Sequence, residues 1–250
     1  MTKAIGIMDS GLGGFTVFHA LEKRYPQQQF IFVADQARAP YGDRLPDEIY
    51  QSSARIIQWF QAQSIMEVLI ACNTISSTCL DELRAAFPAM TIIGIIDLTV
   101  SQFKASDLDK AGLIATQATV NTHLYAEKIK AIQQQCTVIE RATPQLVPLI
   151  ESLADPEEIL EALELPMREL NLHTNSLILG CTHYPLIKGL IETVYHHPIY
   201  SSIDPIVRYY QHHSFVDGVS ELYTTKDAKC LHDQLQMLYH EDREIRLLEI

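Results

Sequence analysis

Two apolar runs in this chain break off at a cysteine, and small hydrogen-bonding side chains follow at once: Leu69-Ile-Ala-Cys72-Asn-Thr74 and Leu177-Ile-Leu-Gly-Cys181-Thr-His183. In an open α/β sheet such a break marks the carboxyl end of a strand, the edge where ligands bind. A thiol there, just ahead of a helix N-terminus, has its thiolate favoured by free backbone N–H groups and the helix dipole. The pairing extends upstream. Lys3-Ala-Ile-Gly-Ile-Met-Asp9 resembles Lys110-Ala-Gly-Leu-Ile-Ala-Thr116, which aligns Asp9 with Thr116, 107 residues later, and Cys72 with Cys181, 109 residues later. The chain reads as two copies of one α/β unit, a repeat too long for a solenoid. Its two cysteines are expected to face one cleft from opposite sides.

Strand patterns at 4–8, 30–34, 68–71, 91–96, 111–115, 137–141, 176–180 and 198–201 alternate with helix-period segments at 14–25, 46–63, 76–87, 119–134, 156–171 and 185–196. Ile49, Ile56, Ile57 and Phe60 recur at helical spacing. Such alternation predicts a mainly parallel sheet covered on both faces. The expected fold class is α/β, with two pseudo-symmetric lobes on mainly parallel sheets and the active site in the cleft between them. Residues 1–96 form the first lobe and 97–203 the second, with the boundary in the Ser/Asp-containing stretch 96–108. The remainder, a helix after Ile203-Asp204-Pro205, a strand at 221–224 and a helix near 227–239, matches neither copy. It is assigned to the first lobe as residues 204–250. Pro40-Tyr41-Gly42 excludes regular structure from the polar loop at 35–45.

With 250 residues, 47% of them apolar, the chain can bury one large domain or two small ones. Its 31 acidic residues outnumber 19 basic ones and no basic stripe appears, which argues against a nucleic-acid partner. A small anionic metabolite is still allowed, because backbone N–H groups and hydroxyls bind carboxylates locally. Five cysteines, without a C-x-x-C, do not read as a disulfide framework. A strand by Ala4 leaves no room for a signal peptide, and no apolar run approaches the ~20 residues of a membrane span. A cytoplasmic protein with reduced thiols and no membrane partner is expected.

A single cysteine after an apolar strand is commonly a small buried hydrophobe. Two in matched contexts point to chemistry instead, so Cys72 and Cys181 are the leading candidates, while Cys79, Cys136 and Cys230 read as structural. Zinc is not expected: Cys181-Thr-His183 has no standard spacing, and His196-His197 and His212-His213 read as surface helix positions. Asp9-Ser10-Gly11-Leu-Gly13-Gly14 is a tight strand-to-helix turn. It fails the dinucleotide fingerprint, with Thr16 in place of the third glycine. Asp9 reaches Cys72 if their strands are neighbours, and His183 can influence Cys181 from two residues away. Glu151, closing Leu146-Val-Pro-Leu-Ile-Glu151, reads on its own as an exposed terminus. Two thiols facing one substrate carbon can remove its α-proton from one face and return a proton to the other. That inverts the stereocentre without a cofactor, provided donors such as Ser10, Asn73, Thr74 and Thr182 stabilise the carbanion-like transition state. No lysine stands in a context for a pyridoxal Schiff base. A non-catalytic amino-acid-binding module also suits two lobes around a cleft, but both cysteines together with Asp9 and His183 disfavour it.

Six motifs carry a resemblance across nearly the whole chain. They are Ile7-Met-Asp9-Ser10-Gly-Leu-Gly-Gly14, Ala39-Pro-Tyr41-Gly42-Asp-Arg44, Ala71-Cys72-Asn73-Thr74, Ala115-Thr116-Gln-Ala-Thr119-Val120, Leu146-Val-Pro-Leu-Ile-Glu151 and Gly180-Cys181-Thr182-His183-Tyr184-Pro185. At these residues the chain resembles the glutamate racemases of the cofactor-independent aspartate/glutamate racemase superfamily. The tail Leu222-Tyr-Thr-Thr-Lys-Asp227 is similar to that family's C-terminal hairpin-to-helix stretch. The resemblance implies Cys72 and Cys181 as paired acid/base thiols, with Asp9 assisting the first and Glu151 with His183 the second. It implies substrate contacts from Asp9, Ser10, Pro40, Tyr41, Gly42, Asn73, Thr74, Thr116, Thr119, Thr182 and His183, with no cofactor and no metal. Glutamate is the implied substrate, and D-glutamate for peptidoglycan synthesis the implied product. A homodimer stands as one option for the assembly. Ile75, Ser76 and Gln117 depart from the family's usual residues, and regulation by a cell-wall precursor is not expected without the N-terminal extension of the members that have it. An aspartate racemase, sharing the two-cysteine logic, is the nearest alternative.

Overall fold

Apolar strands and amphipathic helices alternate into two parallel sheets in a computed structural model that describes residues 4–105, 108–213 and 217–250. The first sheet contains β1 (Ile5–Asp9), β2 (Phe30–Ala34), β3 (Glu67–Ile70), β4 (Thr91–Gly94) and, from the far end of the chain, β9 (Glu221–Thr224) and β10 (Ile245–Leu247). Its order is β10-β9-β2-β1-β3-β4. The second contains β5 (Lys110–Ala115), β6 (Thr137–Ala142), β7 (Ser176–Gly180) and β8 (Ile199–Tyr200), in the order β6-β5-β7-β8. β1, β2 and β7 are buried along their whole length, as strands covered by helices on both faces must be.

The order β2-β1-β3-β4 recurs as β6-β5-β7-β8. Each sheet therefore adds its second and third strands on opposite sides of the first, which opens a crevice at the carboxyl ends. Backbone register identifies the equivalent residues. Asp35 N–H donates to Asp9 O at 2.9 Å past β1 and β2, and Thr143 N–H donates to Ala115 O at 2.9 Å past β5 and β6. Met8 pairs with Ile70, as Ile114 pairs with Leu179. Cys72 and Cys181 are thus equivalent. Asp9, however, corresponds to Ala115, and Ser10 is the residue that matches Thr116. The expected alignment of Asp9 with Thr116 is off by one residue, because the strand registers align Met8 with Ile114.

The helices differ from expectation where local chemistry breaks the period. The segment expected at 76–87 begins directly after Cys72 and divides at Cys79 into Asn73–Thr78 and Leu80–Ala86. The segment at 119–134 divides into Gln117–Thr122 and Leu124–Ile132, because His123 takes a left-handed conformation with φ 53°. Pro185 opens a 3-10 turn, Tyr184–Ile187, before the helix Lys188–Val194. The strand expected at 91–96 stops at Gly94, and Ile95–Ser101 is a helix within the stretch read as a boundary; residues 106–107 of that stretch lie outside the described residues. Leu146–Glu151, too short to display a period, is also a helix. The tail is not a hairpin: β9 pairs in parallel with β2, and β10 with β9. No described helix is long and apolar enough to cross a membrane.

The helix Ile203–Tyr210 packs on both Phe15–Arg24 and Ile95–Ser101. Their Phe15, Phe18, Ile95, Leu98 and Ile206 join Leu113 and Ile178 of the second sheet in one buried cluster. Each such side chain contributes roughly 1.5–3 kcal/mol on burial. This shared layer holds the strand tips of one sheet against those of the other.

Candidate active site

Cys72 separates β3 from the helix Asn73–Thr78 and keeps extended backbone. Its thiol, 3.6 Å from Ser10 Oγ, is 4% exposed. Burial pushes this thiol up and the Asp9 charge adds to the shift, while the Ile75 N–H and Ser10 offset only part of it. The helix-favoured thiolate expected from sequence is overturned here, because a desolvated helix of six residues returns less than burial removes. Asp9, fully buried at the tip of β1, has three donors. Oδ2 accepts from the Gly11 and Gly14 N–H groups, both at 3.0 Å, and Oδ1 from Thr182 Oγ1 at 3.2 Å. Burial raises its carboxyl above the usual range, opposed by the His183 charge and the two backbone donors.

Cys181 follows β7 and leads into a 3-10 turn rather than a helix. Its sulfur lies 3.6 Å from His183 Nδ1, and His183 Nε2 lies 2.7 Å from Glu151 Oε1. Gly13 N also approaches Nε2 at 3.2 Å. A nitrogen that donates to a carboxylate cannot also accept, so the shorter Glu151 contact is the bond and Gly13 is a close neighbour. Burial works against a charged imidazole, yet the bonds and charges of Cys181 and Glu151 hold His183 well above the ordinary histidine range. Burial would raise Glu151 too; His183, the Leu12 N–H at 2.8 Å and Gln234 overrule it and hold the carboxyl at about 2. Glu151 is therefore no exposed terminus: it reaches back across the cleft to the glycine turn.

That turn leaves no room for side chains. A Cβ on Gly11 would lie 2.4 Å from Glu151 Oε1, and one on Gly13 would lie 2.3 Å from His183 Nδ1. Two further bonds cross between the sheets: Thr74 and Thr116 hydroxyls meet at 2.9 Å, and Tyr125 Oη donates to Asn73 Oδ1 at 2.6 Å, while Thr116 Oγ1 also donates locally to Thr119 Oγ1 at 3.0 Å. Asn73 Nδ2 is buried and, among the described residues, has no hydrogen-bond partner. Tyr41 is buried against Asp35, to which it donates, and Gly42 faces Thr116. Pro40 stands apart from the thiols, on the wall of a cavity of about 300 Å³ with Glu151 and Gln234. The other residues expected at the site gather around the paired strand tips in several separate bonded sets, with Gly42 packed against Thr116.

Four further residues, Asp35, Tyr125, Gln36 and Gln234, extend these sets. Asp35, at the tip of β2, accepts from Tyr41, from Thr225 at 2.6 Å and from Arg38 at 2.9 Å. Its place at a strand tip is the same signal that singles out Asp9. Tyr125, Gln36 and Gln234 lie within helix or loop and have no such signal. All five cysteines are free thiols, and Cys230, read as structural, is exposed. His196, His197 and His212 are exposed but lie past helix ends. Among the described residues no group of three His, Cys, Asp or Glu side chains could hold a metal ion.

Residues 5–209 match the Asp/Glu/hydantoin racemase family. A glutamate racemase of Picosynechococcus sp. is 40% identical over 194 residues, covering 76% of this chain and 68% of that one. One from Desulforudis audaxviator is 38% identical over 196 residues, covering 76% and 70%. Among solved structures, the glutamate racemase of Francisella tularensis in complex with D-glutamate superposes with a TM-score of 0.90 at 25% identity, covering 99% of this chain and 97% of that one. The two sheets, the matched strand tips and these likenesses place the chain in the Asp/Glu/hydantoin racemase family.

Proposed function

We propose that this protein interconverts L- and D-glutamate by proton transfer between two cysteines, without a cofactor, and supplies D-glutamate for peptidoglycan synthesis. The observation that carries the reading is the pair of buried thiols at equivalent strand tips of the two sheets, Cys72 beside Ser10 and Cys181 beside His183. The names of the relatives and the D-glutamate complex of one of them favour glutamate among amino acids. The cleft belongs to a first lobe of residues 1–96 completed by 204–250, and a second of 97–203.

In this reading one cysteine, as thiolate, takes the proton from Cα and leaves the electron pair on carbon, in conjugation with the carboxylate. The opposing cysteine, as thiol, returns its proton to the other face and becomes the thiolate. The product has the opposite hand, and the two sulfurs have exchanged states, ready for the reverse turnover. Asn73 Nδ2 is a preorganised donor for the charge that develops on the substrate carboxylate, with Ser10, Thr74, Thr116 and Thr182 around it. The His183 imidazolium balances charge on the Cys181 side, and Asp9 orders the turn beside Cys72. The test is incubation with either enantiomer in deuterium oxide. Deuterium should appear at Cα of the inverted product at a rate that a chelator and added pyridoxal phosphate leave unchanged. Inversion without exchange, or activity lost to the chelator and restored by metal, would overturn it.

A further inference from the structure

A directed chain of hydrogen bonds runs from β9 to the carboxylate that holds His183. Thr224 Oγ1 donates to Gln36 Oε1 at 3.0 Å, and Gln36 Nε2 donates to Gln234 Oε1 at 3.0 Å. Gln234 Nε2 then donates twice to Glu151, to its carbonyl oxygen at 2.8 Å and to Oε2 at 3.1 Å. Thr224, Gln36 and Gln234 are all buried. The direction does not depend on how the amides are drawn. A carbonyl and a carboxylate only accept, so Gln234 must turn its NH2 to Glu151, which leaves its oxygen for the Gln36 NH2. The other Glu151 oxygen is already taken by the Leu12 N–H and His183.

Gln234 lies on the helix Ala228–Tyr239, whose other buried residues, Leu231 and Leu235, are apolar core. A buried amide among them needs a reason, and its two bonds to one residue supply it. We propose that Gln234 is a positioning residue, which grips Glu151 by backbone and carboxylate together so that the remaining oxygen stays on His183 and, through it, Cys181. Gln36 acts one step further out and fixes the Gln234 amide. The proposal rests on the reading of Cys181 as one of the two proton-transfer groups. The charged and titratable groups facing Glu151 are His183, Asp9 at the tip of β1, and Lys226 and Cys230 across the adjoining cavity. Among them only His183 bonds the carboxylate.

Gln234→Met keeps the volume and removes the donors; Gln234→Glu keeps the shape and replaces a donor with a second carboxylate. The expected order of turnover is wild type, then Gln234→Met, down about tenfold, then Gln234→Glu, with KM for glutamate within about twofold throughout. Gln36→Met should lose less than Gln234→Met. A role in packing alone ranks the isosteric Gln234→Glu above Gln234→Met and overturns the proposal. The readout that does not need turnover is carbon-13 NMR of labelled glutamate side chains in the free protein. The Glu151 carboxyl, held at about 2 in the wild type, should titrate higher in Gln234→Met, because a donor to its charged form is gone. An unchanged Glu151 titration in folded Gln234→Met, or in Gln36→Met and Gln234→Glu should that variant not fold, sinks the idea. A wild-type protein that fails to racemise glutamate would refute the proposed function, and the NMR result would still decide the role of Gln234.

Discussion

The two strand tips share a backbone and differ in how they handle charge. At the first, the carboxylate is part of β1 itself, Asp9, and the sulfur of Cys72 meets a neutral hydroxyl. At the second, the position of Asp9 is Ala115, and the acid comes from off the strand tips: Glu151, on a helix between β6 and β7, reaches a histidine that touches Cys181. Repeating the fold repeated where the thiols stand, while the groups that tune them were built separately. In the proposed reaction the two sulfurs always hold opposite protonation states, so unlike surroundings suit them. Burial raises the Cys72 thiol above its ordinary range, and an imidazolium gives the Cys181 sulfur a cationic neighbour.

The largest expected effect tests what the two tips have in common. Cys72→Ala and Cys181→Ala should each lower turnover in both directions by ~10²–10⁴-fold or more, followed by optical rotation, since every inversion needs one base and one acid. Near-normal racemisation by either variant would leave a one-thiol site and end the comparison. The next test addresses what separates the tips. Asp9→Asn and His183→Asn should cost less, on the order of 10–10²-fold, because they tune the sulfurs without exchanging the substrate proton. The primary deuterium isotope effect should rise for one direction of turnover in His183→Asn and for the opposite direction in Asp9→Asn. The same rise in both directions for both variants would erase the division of labour.

A smaller effect concerns the turn that joins the tips. Gly13→Ala puts a methyl group on the His183 ring and should cost about 1–3 kcal/mol in denaturant unfolding. Gly189→Ala, in the helix Lys188–Val194 with nothing within 4 Å of its Cβ, should instead stabilise by about 0.5–1 kcal/mol. Equal outcomes for the two would mean that the turn has room to spare. The smallest effect is one of pH. The folded-state pKa of Glu151, about 2, lies below the ordinary glutamate value of about 4.3, so its contribution to stability is complete above that value and lost as pH falls from there toward 2. His183 has the opposite sign: its pKa is raised on folding, so its contribution is complete below about 6.5 and is lost as pH climbs through the higher folded value. The stability gap between wild type and Glu151→Gln, measured by denaturant midpoints, should close across the acid window and should also narrow as pH climbs through the raised His183 value, because Glu151 is one cause of that raise.

Much of this is written in local sequence. Phe30–Ala34, Ser176–Gly180 and Glu221–Thr224 coincide with their predicted strands, all short segments of four or five residues. The helix breaks at Cys79 and His123 are changes of backbone conformation with no proline or glycine to mark them in the sequence. The repeat could be seen, but its register could not, since a slip of one residue is settled by backbone pairing. Residues at strand tips could be found for the same reason as the cysteines. Glu151 could be named only through the family resemblance, and Gln234 not at all, because each acts across a distance in sequence, 139 residues from Leu12 and 83 from Glu151 respectively.

The way the first sheet is closed sets an order of events during synthesis. The second sheet comes from one continuous stretch, residues 110–200, and can close once Tyr200 has left the ribosome. β2 waits longer. Until residues 221–224 emerge, it is an open edge whose free backbone groups are a template for stray strands, the hazard of any half-built sheet. Gln234 is made later still, so Glu151 receives its amide partner only after β9 has been made. A chain cut short at residue 220 would contain both cysteines, yet would lack the β2 partner and the Glu151 anchor; it should aggregate and be inactive, whereas the full chain finishes its fold and its chemistry at the same step.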